Sequence, residues 1–413
     1  MRPATFGVMS PQTSIGSEPR GGIPRLRPEP ITLLSYGFRP FFLGAALWAC
    51  VAMVLWLGLL SGFWTFANGY GAVAWHAHEF LFGYIAAVMT GFLLTAIPNW
   101  TGRFPLQGIP LLALFLLWFA GRVAMLTTDW IGTAAAAMID CAYLITLTAV
   151  ISREIVAGSN WRNLRIAVLV ALTATANIVF QAEVLVFAGP NYGLRLAVAT
   201  IVALIMVVGG RVTPSFTSNW LTRQGSQMRP APFDRLDIGS IALGAIALIA
   251  WIAAPDWYGA AALLLVMAIV QAARLSRWTG AGTWREPILF VLHLGYAFVP
   301  LGALMLSISI LWPRIVPTSG ALHTWTTGAM GLMTLAIMTR ATLGHTGRDL
   351  YSMPTTVAIY GAMLVAALAR IAAPLLPAFY YQTLLTAGVA WFSAFAIFVL
   401  IYGPMLMRAK QTA

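Results

Sequence analysis

AVAWHAHEFLFGYIAAVMTGFLLTAI, residues 72–97, decides what kind of protein this is. Helical runs of about 20 apolar residues cross the ~30 Å of hydrocarbon in a bilayer. The apolarity is continuous rather than alternating, and in lipid only helices and closed barrels satisfy the backbone, so the stretch reads as a membrane helix. Near its start stands Trp75-His76-Ala77-His78-Glu79. Ionisable rings in hydrocarbon are costly unless they ligate something, pair, or face a wet cavity. This helix therefore carries both the fold signal and a candidate site.

Similar runs recur along nearly the whole chain. They place twelve segments at about 40–61, 72–97, 108–127, 131–151, 164–188, 193–214, 238–254, 257–274, 287–311, 319–340, 354–373 and 381–406. The sequence is 60% hydrophobic and 9% charged, whereas soluble chains carry about 25% charged residues. The expected fold is an all-α polytopic membrane protein of about 12 transmembrane helices, with residues 31–413 as one helical domain. The net charge of +12 follows the positive-inside rule rather than nucleic-acid binding. With the N-terminus inside, Arg122, Arg195, Arg314 and Arg370 are the only basic residues on the outer side. An even helix count agrees, putting both termini in the cytoplasm.

Residues 1–30 are polar and rich in Pro, Gly and Arg, without an apolar core and cleavage site, and read as a disordered cytoplasmic tail. Cys50 and Cys141 fall inside apolar segments and read as apolar fillers. The longest loop is expected at about 215–237, dividing the segments six and six. A second pattern has a period of four. Segments two, six and ten end in related Thr/Gly/Arg stretches, at Gly102-Arg103, Gly210-Arg211 and Gly347-Arg348. This reads either as a repeat of four helices or as ordinary helix-end chemistry.

The histidines are the candidate ligands. His76 and His78 on segment two and His323 on segment ten fall at similar depth near the outer ends of inward-running helices. His293 lies inside segment nine, and His345 in the connection after segment ten. All five are candidate metal ligands, and His76, His78 and His323 candidate cofactor ligands. Imidazole suits iron, copper and zinc, and a bis-histidine haem needs one His from each of two facing helices. At ~100° per residue His76 and His78 project ~200° apart, so they serve different neighbours. Glu79 shares a face with His76 and is the candidate catalytic proton carrier, which favours His76 as the haem ligand. Gly83, Gly91, Gly328 and Gly331 either let a flat macrocycle approach the backbone or pack helices. Asp140, Asn177, Gln181 and Glu183 are buried polar groups, read as a proton path or as interhelical hydrogen bonds.

Several of these stretches together carry a resemblance. They are Ser35-Tyr36-Gly37-Phe38-Arg39-Pro40, Trp75-His76-Ala77-His78-Glu79, Gly91-Phe92-Leu93-Leu94-Thr95-Ala96, Gly210-Arg211-Val212 and Leu343-Gly344-His345-Thr346-Gly347-Arg348. On them the chain resembles the NnrS family, from residue 33 to about 405. The resemblance implies a multi-pass protein of the bacterial inner membrane that carries haem, expected to be b-type, and copper. It also implies a role in nitric oxide metabolism or protection against nitrosative stress. Nitric oxide is then the expected ligand and a respiratory electron donor the expected partner, with no nucleic acid. Whether such a protein is an NO-metabolising oxidoreductase stays open. So do two other readings, a twelve-helix transporter or permease, and an accessory protein delivering haem or copper to a respiratory enzyme. A weaker likeness is to haem–copper oxidases, which carry haem-ligand histidines on helices two and ten. Their copper histidines lie on helices six and seven, where this chain has none.

Overall fold

The computed structural model describes residues 29–187 and 189–411, so most of the tail expected at 1–30 lies outside the described residues. Among the described residues the regular elements are all helical. The long helices are α1 Phe38–Leu60, α2 Ala72–Thr101, α3 Ile109–Leu126, α4 Thr133–Ala157, α5 Trp161–Phe187 and α6 Tyr192–Arg223. They continue as α7 Arg235–Ala253, α8 Tyr258–Ser276, α9 Pro287–Leu311, α10 at 318–345, α11 Pro354–Leu375 and α12 Pro377–Met407.

Eleven of these are long and apolar enough to cross a membrane. The exception is α10, where Thr324, Thr326, Thr327, Thr334, Thr339 and Arg340 dilute the apolar run. No residue from 321 to 340 is exposed. A helix enclosed by other helices needs no lipid-facing apolar surface, so it tolerates this polarity. The most apolar stretch of α2 is likewise 83% buried, against 39% for α3. Helices α2 and α10 thus lie inside the bundle.

The outer helices pack in chain order for much of the circuit, α3 on α4, α4 on α5, α5 on α6, α7 on α8 and α8 on α9, and α12 closes back on α1. Arg39 on α1 ties this closure, donating to the backbone carbonyls of Leu406 (2.6 Å) and Arg408 (2.8 Å). The first and last described segments therefore meet at one end of the bundle. Lipid supplies no hydrophobic drive between helices, so close packing and hydrogen bonds hold them together. Buried tryptophans do much of this. Trp118 donates to Gly83 O (2.9 Å), Trp325 to Val299 O (2.9 Å) and Trp391 to Ala49 O (3.2 Å). Gly302 makes room for Trp325, since a Cβ there would stand 2.2 Å from the indole.

Two features bear on the sequence reading. Helix α6 runs through Pro214 to Arg223, which shortens the long loop expected at 215–237. Proline in a helix clashes with the carbonyl four residues earlier, here Gly210. A π segment, Ile205–Gly209, ends directly before that residue and loosens the turn. The second feature concerns the period of four. Three π segments occur among the described residues, Glu79–Ile85 in α2, Ile205–Gly209 in α6 and Thr324–Met330 in α10. They fall on the three helices that the motifs had grouped, although Gly210-Arg211 lies inside α6 rather than at its end, so the π segments and not the motifs favour the four-helix repeat.

Candidate functional site

A cavity of about 410 Å³ opens where α2, α6 and α10 approach one another, walled on the outside by α1, α11 and α12. Its surface is mostly apolar, with Trp56, Phe80, Leu194, Val198, Met330 and Trp391 among the lining side chains. His76 from α2 and His323 from α10 project into it. Their ring centres are 6.4 Å apart and their planes lie within 12° of parallel. The Nδ1 of His323 donates to Ser319 O at 2.6 Å, one turn back on its own helix. That fixes the tautomer whose lone pair is on Nε2. His76 stacks on Trp56, centres 4.2 Å apart, and its Nδ1 is buried without a hydrogen-bond partner. Arg370 from α11 completes the wall.

On the opposite side of α2 is a second, sealed cluster. The Nδ1 of His78 meets Glu79 Oε1 at 2.9 Å, and its Nε2 lies 3.0 Å from Asp140 Oδ2, 3.1 Å from Asn177 Oδ1 and 2.9 Å from Gln181 Nε2. Arg122 from α3 donates to Glu79 Oε2 (2.6 Å) and, through its other terminal nitrogen, to Asp140 Oδ1. His78, Glu79, Arg122 and Asp140 are all at most 1% exposed. Two carboxylates against one guanidinium and one imidazole leave the group neutral when His78 is protonated. Such mutual pairing is what makes buried charges tolerable. Helices α2, α3, α4 and α5 are cross-linked by it.

The NnrS protein family model matches residues 32–410, nearly the whole chain. The chain belongs to the NnrS family. No protein of curated function matches it significantly.

Within this NnrS chain the expected ligands do not gather in one place. His76 and His323 share the cavity, and His78 faces away from it, as the ~200° separation requires. Glu79 was expected to support His76 but pairs with His78 and Arg122 instead. The turn from His76 to Glu79 is itself ordinary helix, with Glu79 N–H on the carbonyls of Trp75 and His76; the carboxylate is drawn instead to Arg122, a buried cation that another helix brings. His293 sits alone against Thr217, its Nε2 2.8 Å from the hydroxyl oxygen. His345 packs against Tyr36 and Phe38, near where the first and last described segments meet. Among the described residues no group of three or more His, Cys, Asp or Glu is disposed to hold a metal ion.

The polar residues of α4 and α5 divide between two tasks. Asp140, Asn177 and Gln181 converge on His78. Glu183 instead accepts from the backbone N–H groups of Asn191 (2.7 Å), Tyr192 (2.8 Å) and Gly193 (2.9 Å), capping the start of α6. The four glycines all serve packing. A Cβ would strike Arg122 at Gly83, Phe42 at Gly91, Phe298 at Gly328 and Met363 at Gly331.

Arg122 and Arg370 were read as outer-side charges; Arg122 is fully buried, and Arg370 is half-buried against the cavity. The signal was present for Arg122. It is the lone charge in the apolar run of α3, and an intramembrane charge implies a buried partner.

Proposed function

We propose that this chain is a haem protein of the bacterial inner membrane that handles nitric oxide, with the haem seated between His76 and His323. Family membership supports the nitric oxide context, and one geometric observation supports the seat. A metal held from opposite sides by two imidazoles, each nitrogen ~2 Å away, has its ligand rings ~6 Å apart, centre to centre. The ring centres of the two cavity histidines stand 6.4 Å apart, the separation such a pair needs. Their surroundings also suit the group, since the wall is apolar and aromatic, and His323 has the Nδ1–H···O=C bond typical of metal-ligating histidines. Held by both histidines, haem iron would supply one-electron chemistry, and it would take a diatomic gas only where His76 or His323 gave up its place.

This chain's residues hold, orient and enclose. His323 is pinned by Ser319, His76 is braced by Trp56, and Tyr84 and Trp391 shield the inner end of the cavity. Glu79 is engaged in the sealed cluster, so its place in this reading is to hold α2 in position rather than to pass protons. Binding, detoxification or reduction of nitric oxide, in the manner of an NO-metabolising oxidoreductase, are the activities this reading covers. Reduction also requires a respiratory electron donor. Protection against nitrosative stress is the role they would serve.

Copper is a second expected metal, but its ligands are not gathered elsewhere among the described residues. The same pair of rings also suits a lone copper ion, which is the runner-up reading. The cavity of about 410 Å³ exceeds what one ion needs, and that favours haem. Accessory delivery of haem or copper would use the same site. The transporter reading is less favoured, because the irregular segments recur in thirds, on α2, α6 and α10, rather than in two matching halves. The deciding experiment is haem and copper stoichiometry on purified protein, with absorption spectra before and after nitric oxide. One haem per chain that is lost in His323→Ala supports the proposal. Copper alone, lost in the same variant, selects the runner-up, and full haem occupancy in the variant overturns the assignment.

A further inference from the structure

We infer that Arg370 is the docking point for an acidic group on the cavity's occupant, and that this group is a carboxylate on the rim of a flat, metal-chelating ring. The inference rests on the seat proposed between His76 and His323, and adds which way round the occupant lies.

Arg370 shares the cavity wall with both histidines. Its Nη1 is buried and has no hydrogen-bond partner. Arg370 as a whole is half-buried, but guanidinium does not deprotonate in proteins and carries five donors, so an enclosed nitrogen left unpaired is costly. The other deeply placed arginines show how the fold normally deals with this. Arg122 has Glu79 and Asp140, Arg274 has Asp237, and Arg39 has two carbonyls. Among the described residues Arg370 has no ion pair, and no Asp or Glu lines the cavity. The negative charge must therefore come with the ligand. Two imidazoles with ring centres 6.4 Å apart are spaced for a metal between them, an apolar wall calls for a flat apolar body, and Arg370 calls for an anionic edge. Together they describe a carboxylate-bearing macrocycle, its acidic edge toward α11.

The test uses the full chain in detergent or nanodiscs, stripped of cofactor and titrated with haem free acid or with haem dimethyl ester, which lacks the carboxylate charges. Wild type should prefer the free acid by about 10- to 100-fold, the range for a hydrogen bond to a charged group. Arg370→Gln should lose that preference while keeping the visible spectrum, because both histidines remain. Its midpoint potential should fall, since a positive charge beside the iron has gone. Arg370→Lys should keep part of the preference, as a point charge without the fork geometry. Equal binding of acid and ester by wild type overturns the inference even if Arg370→Gln does not fold, and so does a preference that survives in Arg370→Gln. Should wild type take neither haem, the haem reading fails separately. Metal-free protoporphyrin then decides: Arg370-dependent binding supports the anion contact, and no binding overturns it.

Discussion

Tyr84 on α2 and Thr334 on α10 share a 2.5 Å hydrogen bond between their hydroxyls, beneath the cavity that their two helices frame. Thr334 also bonds Met330 O (2.6 Å), so it must accept from Tyr84. The bond sets the distance between the two helices that carry His76 and His323. Tyr84→Phe is expected to cost about 1 kcal/mol of stability and to loosen the histidine spacing. The check is thermal unfolding together with the ligand-field bands of the loaded protein. Tyr84→Phe combined with Thr334→Val should cost no more than either alone, since they remove one interaction. Additive losses would show that the two hydroxyls act separately.

His323 and His76 should not be equivalent. The first has a hydrogen bond to Ser319 O that orients it, and such support is worth about 10–100-fold in metal affinity. The second has only its stack on Trp56. Haem retention should therefore fall further in His323→Ala than in His76→Ala, measured by pyridine haemochrome on purified protein. The reverse order would place the tighter ligand on α2.

His78 should behave as a structural residue. His78→Ala is expected to keep the cavity's ligand but unfold at lower temperature. Arg122→Met should be worse, because it strands Glu79 and Asp140 without their cation; breaking a buried pair this way costs about 3–5 kcal/mol. Quantitative expression and detergent-melt assays would read both. If His78→Ala lost haem while its melting temperature stayed put, the separation of the two sites on α2 would be wrong.

The end of the bundle near α7 offers a pH test. Asp234 caps α7, accepting from Leu236 N at 2.9 Å, and pairs with Arg277 (2.9 and 2.5 Å). The bonds from Arg277, aided by the Leu236 amide, pull its carboxyl down to about 2. A carboxyl with a lowered folded value stabilises the fold above its unfolded value of ~3.9. That contribution fades as the pH drops towards 2. Asp234→Asn should flatten this part of the stability profile between pH 5 and pH 2, lying below wild type at neutral pH and converging with it towards pH 2.

Topology is testable without any ligand. Reporter fusions in the 61–71 loop, which has no charge, should report the periplasm, and fusions between Arg223 and Arg235 the cytoplasm. The opposite pattern would invert the site, placing His76 and His323 at the inner face.

The helices were legible because lipid leaves the backbone so little choice: each apolar run had to be helical, and the structure has helices at all twelve expected positions. Depth was legible too, which is how His76 and His323 were matched. Partnership was not. Nothing local ties Arg122 to Glu79, 43 residues away, or Gln181 to His78, 103 residues away. Such pairs form only once four helices have packed. The Glu79 assignment failed for the same reason: the cation that holds its carboxylate, Arg122, comes from another helix.

Those π segments also speak to ancestry. Each amounts to one residue spliced into an α-helix, which turns everything beyond it by ~100°. The splices end at Ile85, Gly209 and Met330, while their helices end at Thr101, Arg223 and His345, at comparable distances further on. Three independent insertions at matching places require three coincidences. One insertion in a four-helix progenitor, copied twice in tandem, requires a single event. The middle copy then kept the splice and presents the apolar Leu194 and Val198 to the cavity, at positions further from its splice than His76 and His323 are from theirs. Metal binding by opposed rings would accordingly be a property of the first and third copies, with the second retained as an apolar wall.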